Sequence, residues 1–183
     1  VSPGNSYRNK SYLANYPAYN KISWEKADEF CEWLSSETGQ DIHLPTEAQW
    51  EKAARGAEQK RYPWGNSEPD CDKTNFLGCE NTFAYEVYAV DSYPDSVSPY
   101  GVHNMAGNVW EWCLDWYDPL HYSHSLRNNP RGPATGSYHV LRGGCAVDPA
   151  GEIRSANRRR GDIDAATDYI GFRIVKEVRK GND

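Results

Sequence analysis

From residue 57 to residue 139 the sequence shows no helical periodicity, and short apolar pieces alternate with clusters of Gly, Pro, Asn and Asp. Such clusters mark turns and loops rather than regular elements. The chain also has seven Trp and 13 Tyr but only four Phe and one Met. Trp and Tyr bury large areas and can hold loops to a small core. The sequence therefore predicts a loop-rich fold with aromatic anchors, and it argues against a helical bundle.

Two helices are predicted before this stretch. Ser23 is a suitable N-cap for the segment 24–34, in which apolar residues recur three and four positions apart, the spacing of one buried helix face. Thr46 and Gln49 form a capping-box pattern at the start of a second helix. Gly56 follows that helix and is a plausible end for it.

The clearest strand patterns lie near the end of the chain, at residues 138–142 and 171–175, where β-branched and aromatic residues approach turn residues. Residues 88–90 and 109–112 fit either short strands or parts of loops. With the two helices, these segments predict a single α+β domain over residues 1–183, with a small antiparallel sheet and long irregular loops.

Charge and cysteine content limit the partners and the compartment. A net charge of −6 argues against nucleic acid or an anionic membrane as a partner. No apolar stretch approaches the roughly 18 residues of a membrane span. The first residues do not form a signal peptide, but a processed chain could be secreted, and we favour an extracytoplasmic location. Cys71 and Cys79 fit either a disulfide that closes a small loop or two free thiols.

Three groups of segments carry a family resemblance: HLPTEAQWEKAARG (43–56) with YPWGN (62–66), YGVHNMAGNVWEWCLDWY (100–117), and RGG (142–144) with RSANRRR (154–160) and IGFRIV (170–175). In this order and spacing they resemble the formylglycine-generating-enzyme, or sulfatase-modifying-factor, family, whose fold is related to C-type lectins. The resemblance covers roughly residues 17–176. Family domains usually begin with several further strands, so the resemblance suggests a fragment, a processed product or a trimmed variant.

One predicted calcium site lies in the segment NMAGNVWEW. Asn104 and Glu111 offer hard oxygen ligands, and the backbone carbonyls of Gly107 and Val109 could converge with them, as calcium prefers six to eight oxygen ligands. The family resemblance implies a structural calcium on the matching positions. The alternative is a turn in which Glu111 accepts hydrogen bonds from backbone N–H groups.

A second calcium site follows from the resemblance alone. In the family this site starts with an Asn and a neighbouring carbonyl, which Asn75 and Phe76 match. The downstream acidic ligand has no secure counterpart, because the segment 79–90 differs in length and content.

The family enzyme oxidises a substrate cysteine with O₂ and copper, and soft Cu(I) needs two thiolates. By position, those cysteines correspond to Asp148 and Ile153, neither of which is a thiol. Cys145 is the only thiol nearby, and a lone Cys after two Gly is more typical of a small buried residue than of a nucleophile. The resemblance therefore implies a non-catalytic domain without copper.

The five histidines give no convincing metal-ligand spacing in the sequence. His121 and His124 form an H-x-x-H pattern, but they lie in a Tyr- and Ser-rich loop where solvated histidines are the default. We therefore assign no catalytic residues from the sequence.

A binding face is predicted in the segment 145–169, where the family builds its active-site face and where related lectin-fold variable proteins display their binding residues. The candidate contacts are the charged residues Asp148, Arg159, Asp162, Asp164 and Asp168. They favour a protein, peptide or glycan ligand; the alternative is a salt-bridged surface loop. Two other functions stay open: a sulfatase-modifying enzyme or maturation factor, and a structural subunit of a larger assembly.

Overall fold

The computed structural model describes residues 21–79, 86–126 and 128–177. Within them lie three helices and six strands: α1 Trp24–Thr38, β1 Ile42–His43, α2 Glu47–Arg55, β2 Trp110–Trp116, α3 His121–His124, β3 Tyr138–Arg142, β4 Arg158–Asp162, β5 Ile170–Phe172 and β6 Val175–Lys176. The predicted α+β class is confirmed. None of the helices in these ranges has the length and apolar character that a membrane crossing requires.

Helix α1 begins where its sequence predicts and continues beyond residue 34 to Thr38. The Ser23 side chain accepts a hydrogen bond from the backbone N–H of Lys26, which satisfies one of the free donors of the first turn. Gly39 ends the helix in the left-handed conformation, and its N–H donates to the carbonyl of Ser35. The buried face of α1 contributes Cys31 to the core.

Helix α2 has the predicted capping box. The Thr46 side chain accepts from the N–H of Gln49, and the Gln49 side chain accepts from the N–H of Thr46. Trp50 on this helix is fully buried. Gly56 follows at φ +66°, and a Cβ there would lie 2.8 Å from Cγ of Pro99, so the helix end needs glycine.

The main sheet has the strand order β4-β3-β2-β5, and β1 pairs with β6 in a separate two-stranded sheet. Three of the four strand pairings are antiparallel, as predicted, but β2 and β5 are parallel. The long connection between these two strands makes the parallel pairing possible. The predicted strand 171–175 is divided between β5 and β6, and β4 was not predicted.

Indole rings connect helix α1 and the preceding residues to the sheet. The Nε1 of Trp112 donates to the carbonyl of Ile22, and the Nε1 of Trp24 donates to the carbonyl of Cys113, both at 2.9 Å. Trp112 is fully buried, and Gly161 on β4 lies so close that a Cβ would approach its ring to 2.4 Å. The expectation that aromatic rings anchor this fold is confirmed at these positions.

Candidate functional site

The chain turns sharply after β3 and places Ile153 in the core. Gly143 and Gly144 both have positive φ, which is readily accessible only to glycine. A Cβ on Gly144 would lie 2.7 Å from the Cγ2 of Ile153, so the two residues pack without a gap. Ile153 is fully buried and packs in a cluster with Tyr62 and Ala106. An aliphatic core residue thus occupies one of the two positions at which the resemblance implies a copper thiolate.

Asp148, at the other copper position, is a hydrogen-bond acceptor for Cys145. Its Oδ2 accepts from the Cys145 backbone N–H at 2.9 Å and from the Cys145 Sγ at 3.0 Å. Burial, with the hydrogen bond to Asp148 as the next cause, raises the pKa of Cys145 to about 12. The thiol is therefore protonated at neutral pH and is a poor metal ligand and nucleophile.

Strand β4 exposes two arginines at the edge of the main sheet. The guanidinium of Arg159 lies over the ring of Trp110, 5.5 Å from its centroid, and that of Arg160 lies 4.8 Å from the centroid of Tyr138. The Arg159 side chain is 57% exposed and lies 3.9 Å from the Asp148 carboxylate. Ring stacking limits the motion of both cations but leaves them open to solvent.

The three acidic candidates on the following segment are also exposed: Asp162, Asp164 and Asp168. Asp168 forms a salt bridge with Lys21 at 2.6 Å. Asp148 differs from them, since only 15% of its side chain is exposed. The structure therefore brings Arg159 and Asp148 together, while the later aspartates are exposed at the end of β4 and on the segment that follows it.

A buried ion network connects β3 and α2 to the loop that precedes β4. The fully buried Arg142 donates to Glu51 and to the carbonyls of Ser155, Ala156 and Asn157. The sequence analysis assigned no role to Arg142 or to Glu51. Arg142 lies in the motif RGG and Glu51 in the motif HLPTEAQWEKAARG. The ion pair between them joins residues 91 positions apart, and no local sequence pattern indicates it.

A second ion pair fixes β4 to α2. The guanidinium of Arg158 binds both carboxylate oxygens of Glu47, at 2.6 and 2.8 Å. This bidentate geometry is the strong form of the arginine–carboxylate pair. Arg158 is thereby half-buried, whereas Arg159 and Arg160 are the exposed cations of the strand.

The predicted calcium loop surrounds a cavity of about 200 Å³. Asn104 has φ +53°, and its Nδ2 is buried without a hydrogen-bond partner among the described residues. No turn or loop hydrogen bond between described backbone groups uses the carbonyls of Gly107 or Val109. Asn104, Val109 and Glu111 line the cavity, so three of the four residues predicted to bind calcium lie around it.

The carboxylate of this loop already has partners. Glu111 accepts two hydrogen bonds of 2.5 Å from Arg173 and one of 2.6 Å from the Nε1 of Trp50. The sequence analysis offered a turn in which Glu111 accepts from backbone N–H groups, but the donors in the structure are these two side chains. Because Arg173 neutralises Glu111, a metal ion there would share the carboxylate with a guanidinium.

The second predicted calcium position is occupied by protein hydrogen bonds. The Asn75 carbonyl accepts from the Asn108 N–H, and the Asn75 Nδ2 donates to the carbonyl of Glu86 at 2.8 Å. The Phe76 carbonyl accepts from the N–H of Cys79. Part of the segment in which its acidic ligand was sought, residues 80–85, lies outside the described residues. A disulfide joins Cys71 and Cys79, which settles the alternative that the sequence left open.

Solved structures share this arrangement of helices, sheet and loops. PvdO from Pseudomonas aeruginosa superposes with a TM-score of 0.76 and 24% identity, over 87% of this chain and 61% of that one. Treponema denticola variable protein 1 gives a TM-score of 0.76 and 23% identity, over 89% and 75%. The fold is therefore that of the formylglycine-generating-enzyme-like, lectin-related α+β proteins.

Sequence comparison identifies the family. The sequence model of the sulfatase-modifying factor enzyme 1-like domain (FGE-sulfatase) matches residues 2–178, so the chain belongs to this family. It is 38% identical over 180 residues to the serine/threonine-protein kinase Pkn1 of Chlamydia caviae, covering 94% of this chain and 27% of that protein. It is 34% identical over 189 residues to the formylglycine-generating enzyme of Thermomonospora curvata, covering 96% and 59%. The chain thus spans between about a quarter and three fifths of these two relatives.

Proposed function

We propose that this chain is a non-catalytic domain of its family that binds a protein, peptide or glycan on the face formed by β4 and the segment that follows it. The observation that carries the proposal is the chemistry at positions 148 and 153. Copper-dependent oxidation of a cysteine needs two thiolates for Cu(I). Here one position is a carboxylate that binds a neighbouring thiol, and the other is a core isoleucine.

The remaining thiols support this proposal. The free cysteines among the described residues are Cys31, Cys113 and Cys145, and all are buried. Burial raises the pKa of Cys31 to about 12 and that of Cys113 well above its usual value. Since thiolates rather than thiols bind copper, none of the three compensates for the missing pair.

The charge pattern of the face favours a polar ligand. Arg159 is held on Trp110, and exposed aspartates follow at positions 162, 164 and 168. Charges of both signs on a fixed sheet edge can pair with a polar or zwitterionic ligand. Asp148 lies beneath Arg159 and serves in this proposal to orient it rather than to contact the ligand directly.

Activity and copper binding give a direct test. The chain, loaded with copper and supplied with O₂, is incubated with a cysteine-containing peptide, and aldehyde formation is followed by mass spectrometry. We expect no conversion. A double variant, Asp148→Cys with Ile153→Cys, is the matched control, and we expect it to gain Cu(I) affinity. Conversion of the peptide by the unchanged chain would show that the proposal is wrong.

The binding face is tested by a screen of peptides and glycans. We expect Arg159→Ala and Asp164→Ala to weaken binding of any ligand found, while Glu29→Ala on the exposed side of α1 leaves it unchanged. A ligand whose affinity is equal in all three variants binds elsewhere, and the assignment of the face then fails.

We also infer a structural calcium held by the oxygens of Asn104, Gly107, Val109 and Glu111. The cavity and the carbonyls of Gly107 and Val109, which accept no turn or loop hydrogen bond from described backbone groups, support it, whereas the Arg173 pair lowers the charge available to the ion. Chelation is expected to lower the Tm, and Asn104→Ala is expected to abolish this shift. An unchanged Tm on chelation would show that the chain holds no structural calcium. Binding of a second calcium ion would support the second site at Asn75 and Phe76.

An enzymatic function is the second candidate, because one relative at 34% identity is named a formylglycine-generating enzyme. If the chain is such an enzyme, the copper-loaded chain converts the cysteine-containing peptide to the aldehyde. A role as a structural subunit predicts self-association instead. Sedimentation distinguishes this role, since a binding domain is expected to remain a monomer at concentrations where a subunit assembles.

A further inference from the structure

Helix α3 and the residues before it bring three side chains together, of which the sequence analysis treated two, His121 and His124, as solvated loop residues. One ligand atom each from Asp118, His121 and His124 lies within 4.8 Å of the other two. A carboxylate oxygen and two imidazole nitrogens are a common ligand set for zinc. The residues belong neither to the calcium loop nor to the exposed face of β4.

Hydrogen bonds indicate which nitrogen of His124 carries the proton. Ser123 Oγ donates to the carbonyl of Leu120 at 2.7 Å, and the same oxygen lies 3.2 Å from Nδ1 of His124. Since its one proton is committed to Leu120, Ser123 Oγ accepts from His124 Nδ1–H. The Nε2 of neutral His124 then carries a lone pair and lies 3.7 Å from Oδ2 of Asp118. Two facing lone pairs are stabilised by a proton, a water or a metal ion between them, and a metal ion can also bind His121.

His121 favours the metal ion over the proton. Its residue is only 9% exposed, and its imidazole has no hydrogen-bond partner among the described residues. Its ring nitrogens are not among the enclosed atoms without a partner, so an ion can reach them. A proton shared between Asp118 and His124 leaves His121 unpaired, but a metal ion can bind all three side chains.

The surrounding groups hold Asp118 in place without neutralising it. Its Oδ1 accepts from the N–H of Leu120 at 2.8 Å, and its backbone carbonyl accepts from Arg158. The charge of Arg158 is paired with Glu47. Oδ2 therefore remains available as a ligand atom.

We propose that Asp118, His121 and His124 bind a zinc ion, with water in the fourth position. Tetrahedral zinc with bonds of about 2.0–2.1 Å needs ligand atoms about 3.4 Å apart, so the side chains must draw together slightly. The His124 side chain is 64% exposed and free to make this adjustment. The ion closes the α3 turn onto Asp118, which contacts β4 through Arg158.

The test is a zinc titration of the tag-free chain against a chromophoric chelator, in saturating calcium so that the calcium loop does not contribute. We expect one zinc per chain. Asp118→Asn and His124→Ala are expected to abolish this binding, and Ser123→Ala, which removes the orienting partner of His124, to weaken it about tenfold. Circular dichroism checks that each variant is folded.

The matched control is His43→Ala, which removes a partly exposed histidine far from the cluster in the sequence. It is expected to bind zinc as tightly as the unchanged chain. Cobalt substitution adds a second readout, because a four-coordinate cobalt site absorbs strongly in the visible range. Absence of saturable binding, or equal zinc affinity in His124→Ala and the unchanged chain, overturns the proposal and leaves the function proposed above untouched.

Discussion

His139 lies between two indole rings, with centroid distances of 3.7 Å to Trp24 and 3.8 Å to Trp116. Its Nδ1 lies 3.3 Å from the Asp115 carbonyl oxygen, and its Nε2 is buried without a partner among the described residues. Burial lowers the pKa of His139 from 6.5 to about 4. The imidazole is therefore neutral in the folded chain and packs as a third aromatic ring.

We predict that the free energy of unfolding decreases as the pH falls through the window between 6.5 and about 4. In this window the unfolded chain binds a proton at His139 that the folded chain does not, so stability rises with pH. Urea unfolding at about pH 7 and about pH 5 measures the effect. His139→Phe keeps an aromatic ring and should lose less stability on acidification than the unchanged chain. Equal losses would contradict the prediction.

At positions 148 and 153 the sequence could predict the chemistry of the residues but not their contacts. The absence of thiols at both positions is readable from the residues themselves. The burial of Ile153 depends on a turn at Gly144 that brings it against Tyr62, which is far away in the chain. In the same way, the hydrogen bond between Asp148 and Cys145 depends on this turn and has no signal in the sequence, while the predicted ligand contact of Asp148 stays a prediction.

Among the elements, those with local signals were predicted and those that depend on pairing were not. The caps of α1 and α2 are set by residues within one turn, and Ser23 and Thr46 act as predicted. Strand β4 has the sequence RRRGD, which has no apolar alternation. It is a strand because β3 pairs with it and because Gly161 gives Trp112 room to pack.

The capping box of α2 gives a prediction at this scale. Thr46→Ala removes the acceptor for the Gln49 N–H and should lower the free energy of unfolding by about 1 kcal/mol. Urea unfolding measures it, with Ser36→Ala as control, because Ser36 is exposed and bonds only within its own helix. A loss in Thr46→Ala no larger than that of the control would show that the cap does not stabilise the helix.

In the molecule as a whole, buried ion pairs connect the helices, strands and loops to one another. Arg142 connects β3, α2 and the loop that precedes β4, and Arg158 connects β4 to α2. Arg173 extends the same pattern from the segment after β5 to Glu111 on β2. The loop-rich character was predictable from composition. These ion pairs were not, because each joins two residues more than 60 positions apart in the sequence.

Arg142 gives the prediction at the scale of the molecule. Its guanidinium is fully buried, so Arg142→Ala removes the donor of three carbonyls and one of the two arginine partners of Glu51, which keeps Arg55. Leaving buried acceptors without their donor costs about 1–3 kcal/mol, and we expect a loss of that size in the free energy of unfolding. Arg154→Ala is the control, because Arg154 is exposed and its loss should cost within about 0.5 kcal/mol. Similar stability in the two variants would mean that the loop before β4 is held without Arg142, and the rigid support inferred for the binding face would then have to come from the sheet alone.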